Sequence, residues 1–278
     1  MHRILPHWFR GLLVLLSILI LTSVFLPLII LVAILRLLTP GTRNRQRFAE
    51  VTRGITGLLL GLCNRLTTMI NGISWEITGR TNLEANQRYI IVCNHQSSAD
   101  RWVLHTVFAK KIPLVAYIVN DSTVRIPVIG LILWALEFPS LKRLDKVAQD
   151  TTANTLCYFP EGKRFNRKAH KNEHSIYKYL LNPRSTSLTA VASKYVRKHQ
   201  DIRILDVTIH YPSAIEPCLW DYFSGRLQTI QAVVEMPITP AHPEDYDEWL
   251  EERWCKKDDL LSELNRAIPL APGNCKTV

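Results

Sequence analysis

The sequence predicts an α/β domain with a partly parallel sheet flanked by helices, preceded by an N-terminal membrane-embedded helical anchor. Two observations carry this prediction. Residues 11–35 contain no charged side chain. After Gly72, short apolar runs typical of buried strands alternate with helical patterns, and this alternation favours an α/β fold. With 278 residues, 47% of them hydrophobic, the chain can form one sizeable core in addition to an anchor.

The uncharged stretch is long enough to cross a bilayer. As a helix, residues 11–35 would extend about 37 Å, more than the roughly 30 Å of hydrocarbon in a membrane. A secretory signal peptide would have a shorter apolar run and a small-residue cleavage site, and a buried helix of a soluble core is the other alternative. Pro27 could kink a single helix or divide the run into two shorter helices within one leaflet. We assign residues 1–38 to the anchor.

A break at residues 39–42 separates the anchor from a basic connector and a second apolar segment, which together comprise residues 39–71. Residues 52–70 are predicted to form a second helix. Because this helix carries Arg53 and Arg65, we expect it to lie in the membrane interface. More arginines follow the anchor than precede it, which favours a cytoplasmic location for the rest of the chain. The expected location is a membrane, with the domain on its cytoplasmic face (the inner membrane in a bacterium).

The domain itself is predicted to comprise residues 72–236. Its predicted strands are residues 75–78, 89–93, 156–159, 202–210 and 230–236. The clearest helical patterns are residues 102–108 and 128–136. A proline-rich linker then leads into a C-terminal helical tail, residues 237–278, in which residues 245–264 form a charged amphipathic helix.

The chain is basic, with a formal net charge of +10. A cation near a membrane surface attracts anionic lipid head groups by about 1 kcal/mol, and it would also attract nucleic acid. An ordinary solvated face is the simplest alternative. No zinc-finger, RNP or helix-turn-helix pattern is present, so we expect anionic membrane lipids and no nucleic acid as partners. The cysteines show no Cys-x-x-Cys spacing and the histidines no metal-ligand spacing, so neither a disulfide scaffold nor a metal site is predicted.

The most informative motif is residues 94–100, Asn-His-Gln-Ser-Ser-Ala-Asp, which follow a predicted strand. An aspartate can accept the proton on one imidazole nitrogen and leave the other nitrogen free to act as a base. A bound alcohol could be the group that His95 deprotonates, without a serine or cysteine nucleophile. Taken alone, a histidine five positions before an aspartate is more often structural.

A second motif, residues 159–165 (Phe-Pro-Glu-Gly-Lys-Arg-Phe), follows another short apolar run. Its turn presents a carboxylate beside two cations at the end of a predicted strand. Guanidinium and ammonium groups together suit a phosphate. A solvated turn with a surface ion pair is the alternative.

In this order the two motifs resemble those of the lysophosphatidic acid acyltransferase family of glycerolipid acyltransferases. Residues 94–100 match the catalytic motif of that family at every defined position, and residues 159–164 match its acceptor-binding motif. A weaker third match comprises residues 127–130 and 141–143. The resemblance covers about residues 72–235.

The resemblance implies acyl transfer from a thioester, either acyl-coenzyme A or acyl carrier protein, to the free hydroxyl of a lysophospholipid. The acceptor would most simply be 1-acyl-glycerol-3-phosphate, and the product phosphatidic acid. His95 would be the general base on the hydroxyl. Asp100 would fix the tautomer of His95 and stabilise the imidazolium. The thioester is a co-substrate, and neither a metal nor a redox cofactor is implied.

The acceptor site is implied in the same way. Arg164 and Glu161, with Gly162 and Lys163 of the same turn, would hold the phosphate-bearing head group. Arg143 would be a second phosphate contact.

The sequence departs from the family pattern at three places that bear on function. The lead-in to Arg143, residues 138–141 (Phe-Pro-Ser-Leu), lacks the aromatic-rich pattern usual in the family. Lys163 stands where the family usually has Thr or Ser, and this extra cation could tighten phosphate binding or point to solvent. Only residues 144–154 separate Arg143 from the next predicted strand, whereas a parallel crossover needs about a dozen residues or more. The sheet topology or the activity could be altered there. A non-catalytic lipid-binding membrane protein that retains the domain is therefore the alternative function.

Overall fold

The computed structural model describes residues 5–79, 83–84, 87–109, 111–112, 114–117, 135, 155–184, 202–240 and 242–267. Helices and strands follow one another in the order α1 (His7–Leu38), α2 (Thr42–Asn71), β1 (Ser74–Thr78), β2 (Arg88–Cys93), α3 (Asp100–Val107), β3 (Ala116–Tyr117), β4 (Thr155–Tyr158), α4 (Arg167–Asn172), β5 (Ile202–His210), α5 (Leu219–Phe223), β6 (Thr229–Glu235), a 3₁₀ turn (Pro243–Asp245) and α6 (Tyr246–Arg266).

The strands of the described residues form a six-stranded sheet in the order β1-β6-β5-β2-β4-β3. Strands β3, β4, β2 and β5 are parallel, β6 is antiparallel to β5, and β1 is parallel to β6. The predicted α/β fold with a partly parallel sheet is confirmed.

Each predicted strand is observed, with ends that differ from the prediction by no more than one residue. Strand β3 was not predicted, since two residues are too few to show an alternating pattern. Strand β4, which follows the short link, pairs in parallel with both β2 and β3. The short link therefore does not prevent parallel pairing of β4. Residues 144–154 and Arg143 lie outside the described residues, as does the predicted helix 128–136 apart from Ala135.

The sheet is covered on both faces, which explains why its central strands are apolar on both sides. On one face, strand residues pack against α3 and α5. The strand residues include Ile91, Cys93, Leu205 and Val207, and the helix residues include Val103, Leu104 and Tyr222. On the other face, strand residues that include Ile90, Val92 and Ile204 pack against α6, whose residues include Leu250, Trp254 and Leu261. Within the described residues, the edges of the sheet and the ends of its strands are the parts that this packing leaves accessible.

Helix α1 runs without a break from His7 to Leu38 and passes through Pro27. The possibility of two shorter helices divided at Pro27 is therefore wrong. Among the described residues, α1 is the one helix with the length and apolar composition to cross a membrane, and only 17% of its most apolar window is buried. A helix in a soluble core would be mostly buried, so this exposure favours a membrane anchor.

Helix α2 begins at Thr42, ten positions before the predicted start, so the basic connector is itself helical. Arginine, glutamine and glutamate are good helix formers, and this explains why a charged segment continues the helix. The turn between the two helices contains Gly41 at φ +90°, in the left-handed region that glycine adopts most readily.

The helix pair α1–α2 docks on the α3 side of the sheet. Asn64 Nδ2 donates to the carbonyl oxygen of Trp102 at 3.0 Å. Asn71 Nδ2 donates to that of Phe223 at 2.8 Å. Arg10 of α1 contacts the carbonyl oxygen of Asn71, so the start of α1 and the end of α2 both lie at the domain. The turn near Gly41, with the arginines that follow it, lies at the opposite end of the pair.

Candidate active site

Residues 94–100 lie at the carboxyl end of β2, a central strand of the parallel part of the sheet. Loops at the carboxyl ends of parallel strands meet at one edge, which is where α/β proteins bind their ligands. Asp100 is the first residue of α3. His95 Nδ1 lies 2.8 Å from Asp100 Oδ2, and the two side chains are 12% and 0% exposed. The predicted pair is therefore formed, with its histidine accessible and its aspartate buried.

The Asp100 carboxylate is fixed by donors on both oxygens. Oδ2 also accepts from the backbone N–H of Gln96 at 2.8 Å and of Ser97 at 2.9 Å. Oδ1 accepts from the Tyr211 hydroxyl at 2.7 Å. Burial and the neighbouring Asp100 carboxylate raise the pKa of Tyr211 well above its ordinary value, so its hydroxyl stays protonated as a donor. With Asp100 accepting at Nδ1, His95 holds its proton there and presents Nε2 as a base.

Asn94 anchors the start of this loop to the neighbouring strand. Its Nδ2 donates to the carbonyl oxygen of Ile209 at 2.9 Å, and its Oδ1 accepts from the N–H of Ile209 at 2.8 Å. This side chain thus extends the pairing of β2 with β5 beyond the last strand residue. The His95 ring also stacks on Phe159, with centroids 4.3 Å apart and planes inclined at 24°. The imidazole is therefore held by its backbone, its hydrogen bond and its flat face.

The second motif supports the first through its backbone contacts. Glu161 is fully buried. Its Oε1 accepts from the N–H of His95 at 2.8 Å, and its Oε2 accepts from the N–H of Leu181 at 3.2 Å. The N–H of Phe165 donates to the carbonyl oxygen of His95 at 2.7 Å. The turn after β4 therefore holds both backbone polar groups of His95.

This geometry corrects the role expected for Glu161. Its carboxylate was predicted to contact the acceptor, but it lies inside the protein with both oxygens accepting from backbone donors. Burial raises the pKa of Glu161 to about 8, although the hydrogen bonds from His95 and Leu181 lower it. The buried Glu161 therefore holds the histidine loop through the backbone of His95.

The remaining residues of the turn have distinct surroundings. Gly162 has φ +68°, a conformation that any side chain would strain, so it contributes a tight turn and no ligand group. Lys163 Nζ pairs with Glu173 Oε1 at 2.8 Å, and Arg184 shares the same oxygen at 3.2 Å. The hydrogen bond from Lys163 is the main reason that the pKa of Glu173 is lowered. Lys163 is therefore held by an ion pair and does not simply point to solvent.

Arg164 is exposed, and its guanidinium donates to Ser98 Oγ at 3.0 Å. Of the predicted acceptor residues in this turn, it is the one whose side chain reaches the histidine loop from the surface. The structure thus brings His95, Asp100, Glu161 and Arg164 together around one loop. Arg143 lies outside the described residues, and its role stays a prediction.

Sequence reasoning did not identify Tyr211, which completes the contacts of Asp100. It follows directly after β5, at the same edge of the sheet as His95. A polar aromatic residue at the carboxyl end of a central parallel strand is the signal that could have found it.

The part of the chain that carries this site resembles a known protein family. The family model described as Acyltransferase matches residues 74–210, which include both motifs. Over residues 74–210 the chain matches an acyltransferase domain. The resemblance to the lysophosphatidic acid acyltransferases inferred from the two motifs is therefore confirmed.

Individual relatives have low sequence identity to this chain. The chain is 25% identical to lysocardiolipin acyltransferase 1 of Gallus gallus over 240 residues, which cover 76% of this chain and 62% of the relative. It is 24% identical to lysocardiolipin acyltransferase 1 of Danio rerio over 258 residues, covering 81% and 64%. The chain thus spans less than two thirds of the length of these curated relatives.

A solved structure has the same fold. The 1-acyl-sn-glycerophosphate acyltransferase PlsC of Thermotoga maritima superposes with a TM-score of 0.52 at 17% identity, covering 91% of this chain and 97% of that one. The likeness extends over the helix pair as well as the sheet, since nearly all of both chains is covered.

Proposed function

We propose that this protein is a membrane-bound acyltransferase that moves a fatty acyl group from a thioester to the free hydroxyl of a lysophospholipid. The observation that carries the proposal is the 2.8 Å contact between His95 Nδ1 and the buried Asp100 carboxylate, at the edge of the sheet where the acyltransferase motifs meet. The formed pair favours catalysis over the alternative of a non-catalytic lipid-binding protein.

The reaction follows from the positions of these groups. His95 Nε2 takes the proton of the acceptor hydroxyl as its oxygen attacks the thioester carbonyl carbon. The tetrahedral intermediate then breaks its C–S bond, and the thiolate leaves and takes the proton from the imidazolium. Asp100 stabilises the imidazolium while it exists. A positioned base of this kind contributes on the order of 10²- to 10⁴-fold in rate.

The acceptor is an anionic lysophospholipid in this proposal. Arg164 would bind its phosphate, because an exposed guanidinium beside the histidine loop can make a paired contact with phosphate oxygens. The simplest such acceptor is 1-acyl-glycerol-3-phosphate, which would give phosphatidic acid. Two relatives are named for lysocardiolipin, another anionic lysolipid. The donor would be acyl-coenzyme A or acyl carrier protein, and the reaction requires no metal or redox cofactor.

The proposed location is a membrane surface. Helix α1 exposes large apolar side chains along its length, and these include Leu12, Leu16, Leu19, Ile20, Val24 and Leu28. Such a helix is stable only in contact with lipid or another apolar surface. Anionic lipids would be attracted by the basic chain. Because thioester donors are cytosolic, we place the domain on the cytoplasmic face.

The direct test supplies detergent-purified full-length protein with acyl-coenzyme A or acyl carrier protein and a panel of lysophospholipids. Free thiol and diacyl product should form together in equal amounts, and both should depend on the acceptor. A folded protein that releases no thiol with any acceptor would refute the proposal.

A further inference from the structure

A cleft of about 510 Å³ opens beside the His95–Asp100 pair, and both motifs contribute to its wall. Gln96 comes from the histidine loop, and Phe165 comes from the turn after β4. Arg167, at the start of α4, continues the same wall. The cleft therefore adjoins the turn that carries Arg164, the proposed phosphate contact.

The cleft has a concentration of positive charge. Arg167 and Lys178 supply two cations, and the imidazoles of His170 and His210 lie with them in the wall. Within the described residues, neither the Arg167 guanidinium nor the Lys178 ammonium forms an ion pair. The carboxylates of Glu216 and Asp258 come close, but they accept from backbone N–H groups.

The imidazoles are held in place by hydrogen bonds. His170 Nε2 lies 2.6 Å from the carbonyl oxygen of Tyr177, and His210 Nδ1 lies 2.7 Å from Gln231 Oε1. Ser213 and Asn265 add uncharged polar groups to the lining. Two cations that form no ion pair within the described residues, one of them over the Tyr179 ring, lie beside these uncharged polar groups and suit a phosphoryl group.

The position of the cleft bears on which substrate would place a phosphate there. In a lysolipid, the carbon that bears the reacting hydroxyl adjoins the carbon that bears the first phosphate. A head group that continues past Arg164 therefore enters this cleft directly. In the donor, the whole pantetheine arm separates phosphate from thioester, so a donor phosphate held beside Gln96 would place the thioester far from His95.

The faces of the sheet agree with this assignment. The helix pair α1–α2 packs on the α3 side, where Val14 joins the core cluster. The cleft extends to the α6 side, since Asn265 belongs to α6, and it also reaches Tyr211 and Ala214 of the α3-side core. A lipid whose chain approaches from the helix pair would direct its polar end towards the cleft.

We propose that this cleft binds a second phosphate, at the far end of the acceptor's head group. The preferred acceptor is then a single-chain lysolipid in which a phosphodiester is followed by a short polyol with a terminal phosphate. This inference rests on the proposed acyl transfer and names the acceptor class of the same site.

The kinetic test compares two acceptors that differ only in the terminal phosphate, lysophosphatidylglycerol phosphate and lysophosphatidylglycerol. Arg167→Ala and Lys178→Ala should each lower kcat/KM for the former by about ten-fold or more, because each removes a charged hydrogen bond. The latter acceptor and the donor KM should be little affected. Lys168→Ala is the matched control, since this exposed lysine lies on α4 but not in the cleft wall. Arg167→Gln serves where alanine impairs folding.

A binding measurement separates this inference from the proposed reaction. Calorimetry with full-length His95→Ala protein should show glycerol 1,3-bisphosphate binding about ten-fold or more tightly than glycerol 3-phosphate, and Arg167→Ala should remove the difference. That result supports the cleft even if no acyl transfer is found. Equal binding of the two probes overturns the inference even if transfer occurs. So does a raised donor KM in the Arg167→Ala enzyme, which would assign the cleft to the carrier of the donor.

Discussion

At the residue scale, Glu161 connects the two motifs. Its carboxylate accepts from the N–H of His95 and of Leu181, which lie 66 and 20 positions away in the chain. A carboxylate has two equivalent acceptor oxygens, whereas an amide has one, so no other side chain of this size satisfies both donors. These two hydrogen bonds give a structural reason for a glutamate at this position.

The raised pKa of Glu161 predicts a pH dependence of stability. The unfolded chain releases this proton near pH 4.5, and the folded protein near 8. Between these values the unfolded state binds fewer protons, so the free energy of unfolding should fall as pH rises. Thermal unfolding of the wild type and of Glu161→Gln across this range measures the effect. The wild type should lose stability relative to the variant with rising pH, and parallel curves would disprove the prediction.

Arg164 is predicted to act on the acceptor alone. Arg164→Ala should raise the acceptor KM and lower kcat/KM by roughly ten- to a hundred-fold, because it removes a charged hydrogen bond to phosphate. Arg164→Lys should recover only part, since an ammonium lacks the planar fork. Lys163→Thr should cost much less, as Lys163 pairs with Glu173. Acceptor titrations at saturating donor give these constants. A weakened donor with unchanged acceptor dependence would contradict the assignment.

The sequence identified some of these residues and not others for a physical reason. His95 and Asp100 belong to one short loop, so their spacing alone specifies their contact. Tyr211 reaches Asp100 from 111 positions away, and only the pairing of β2 with β5 brings it there. The pairing of Lys163 with Glu173 likewise could not be predicted from the sequence, since a surface lysine can pair with any nearby carboxylate.

At the scale of elements, α6 contributes more than the charged amphipathic helix predicted from its sequence. Lys257 is buried, and its ammonium bonds to the Asp206 carboxylate and to the carbonyl oxygen of Val207. Arg253 Nε donates to the other oxygen of Asp206 at 2.7 Å. Trp254 Nε1 donates to the carbonyl oxygen of Leu181 at 3.1 Å, behind the loop that Glu161 holds. The helix thereby supports the active-site edge from the far face of the sheet.

Adjacent lysines on α6 provide a matched test of this support. Lys257→Met leaves Arg253 as the one cation on the buried Asp206 carboxylate within the described residues, so the loss of unfolding free energy should approach, and not exceed, the roughly 3–5 kcal/mol of a fully broken buried pair. Lys256→Met should have little effect, because the Lys256–Glu252 pair is exposed. Unfolding in denaturant gives both values. Similar losses for the two variants would show that the buried network does not stabilise the fold.

The strands and the helix pair illustrate what sequence patterns can predict about elements. Apolar runs or alternating apolar residues bounded by polar turns placed each strand of more than two residues, since burial of one or both faces leaves a clear signal. The start of α2 was missed because the pattern of apolar residues fades before residue 52, while the helix continues on propensity and on packing against α1. The antiparallel pairing of β6 with β5 leaves no local mark in either strand.

At the scale of the whole molecule, the exposed face of α1 is predicted to hold the protein on lipid. Leu16 and Leu19 are 53% and 66% exposed, so replacing them does not disturb the core. Leu16→Asn and Leu19→Asn should each weaken partitioning into vesicles by about ten-fold. Ile238→Asn is the control, because Ile238 is 93% exposed but lies far from α1 in the chain. Co-sedimentation with anionic vesicles measures the binding, and equal effects at all three positions would contradict an anchor formed by α1.

In the whole molecule, the edge of the sheet that carries His95 lies between two different environments. One face of the sheet bears the apolar helix pair and the other bears α6, and the basic cleft opens at the edge between them. His95 lies at the edge where these faces meet, which suits a reaction between a lipid and a water-soluble thioester.

Turnover by the His95→Ala variant tests the account most directly. The substitution removes the base and little core volume, so the folded protein should still bind both substrates. We predict that thiol release from acyl-coenzyme A in the presence of lysophospholipid falls by at least about 10²- to 10⁴-fold, with Asp100→Asn also severely impaired. The unfolding temperature of each variant shows that the fold is retained. Near-normal turnover by a folded His95→Ala protein would contradict the mechanism.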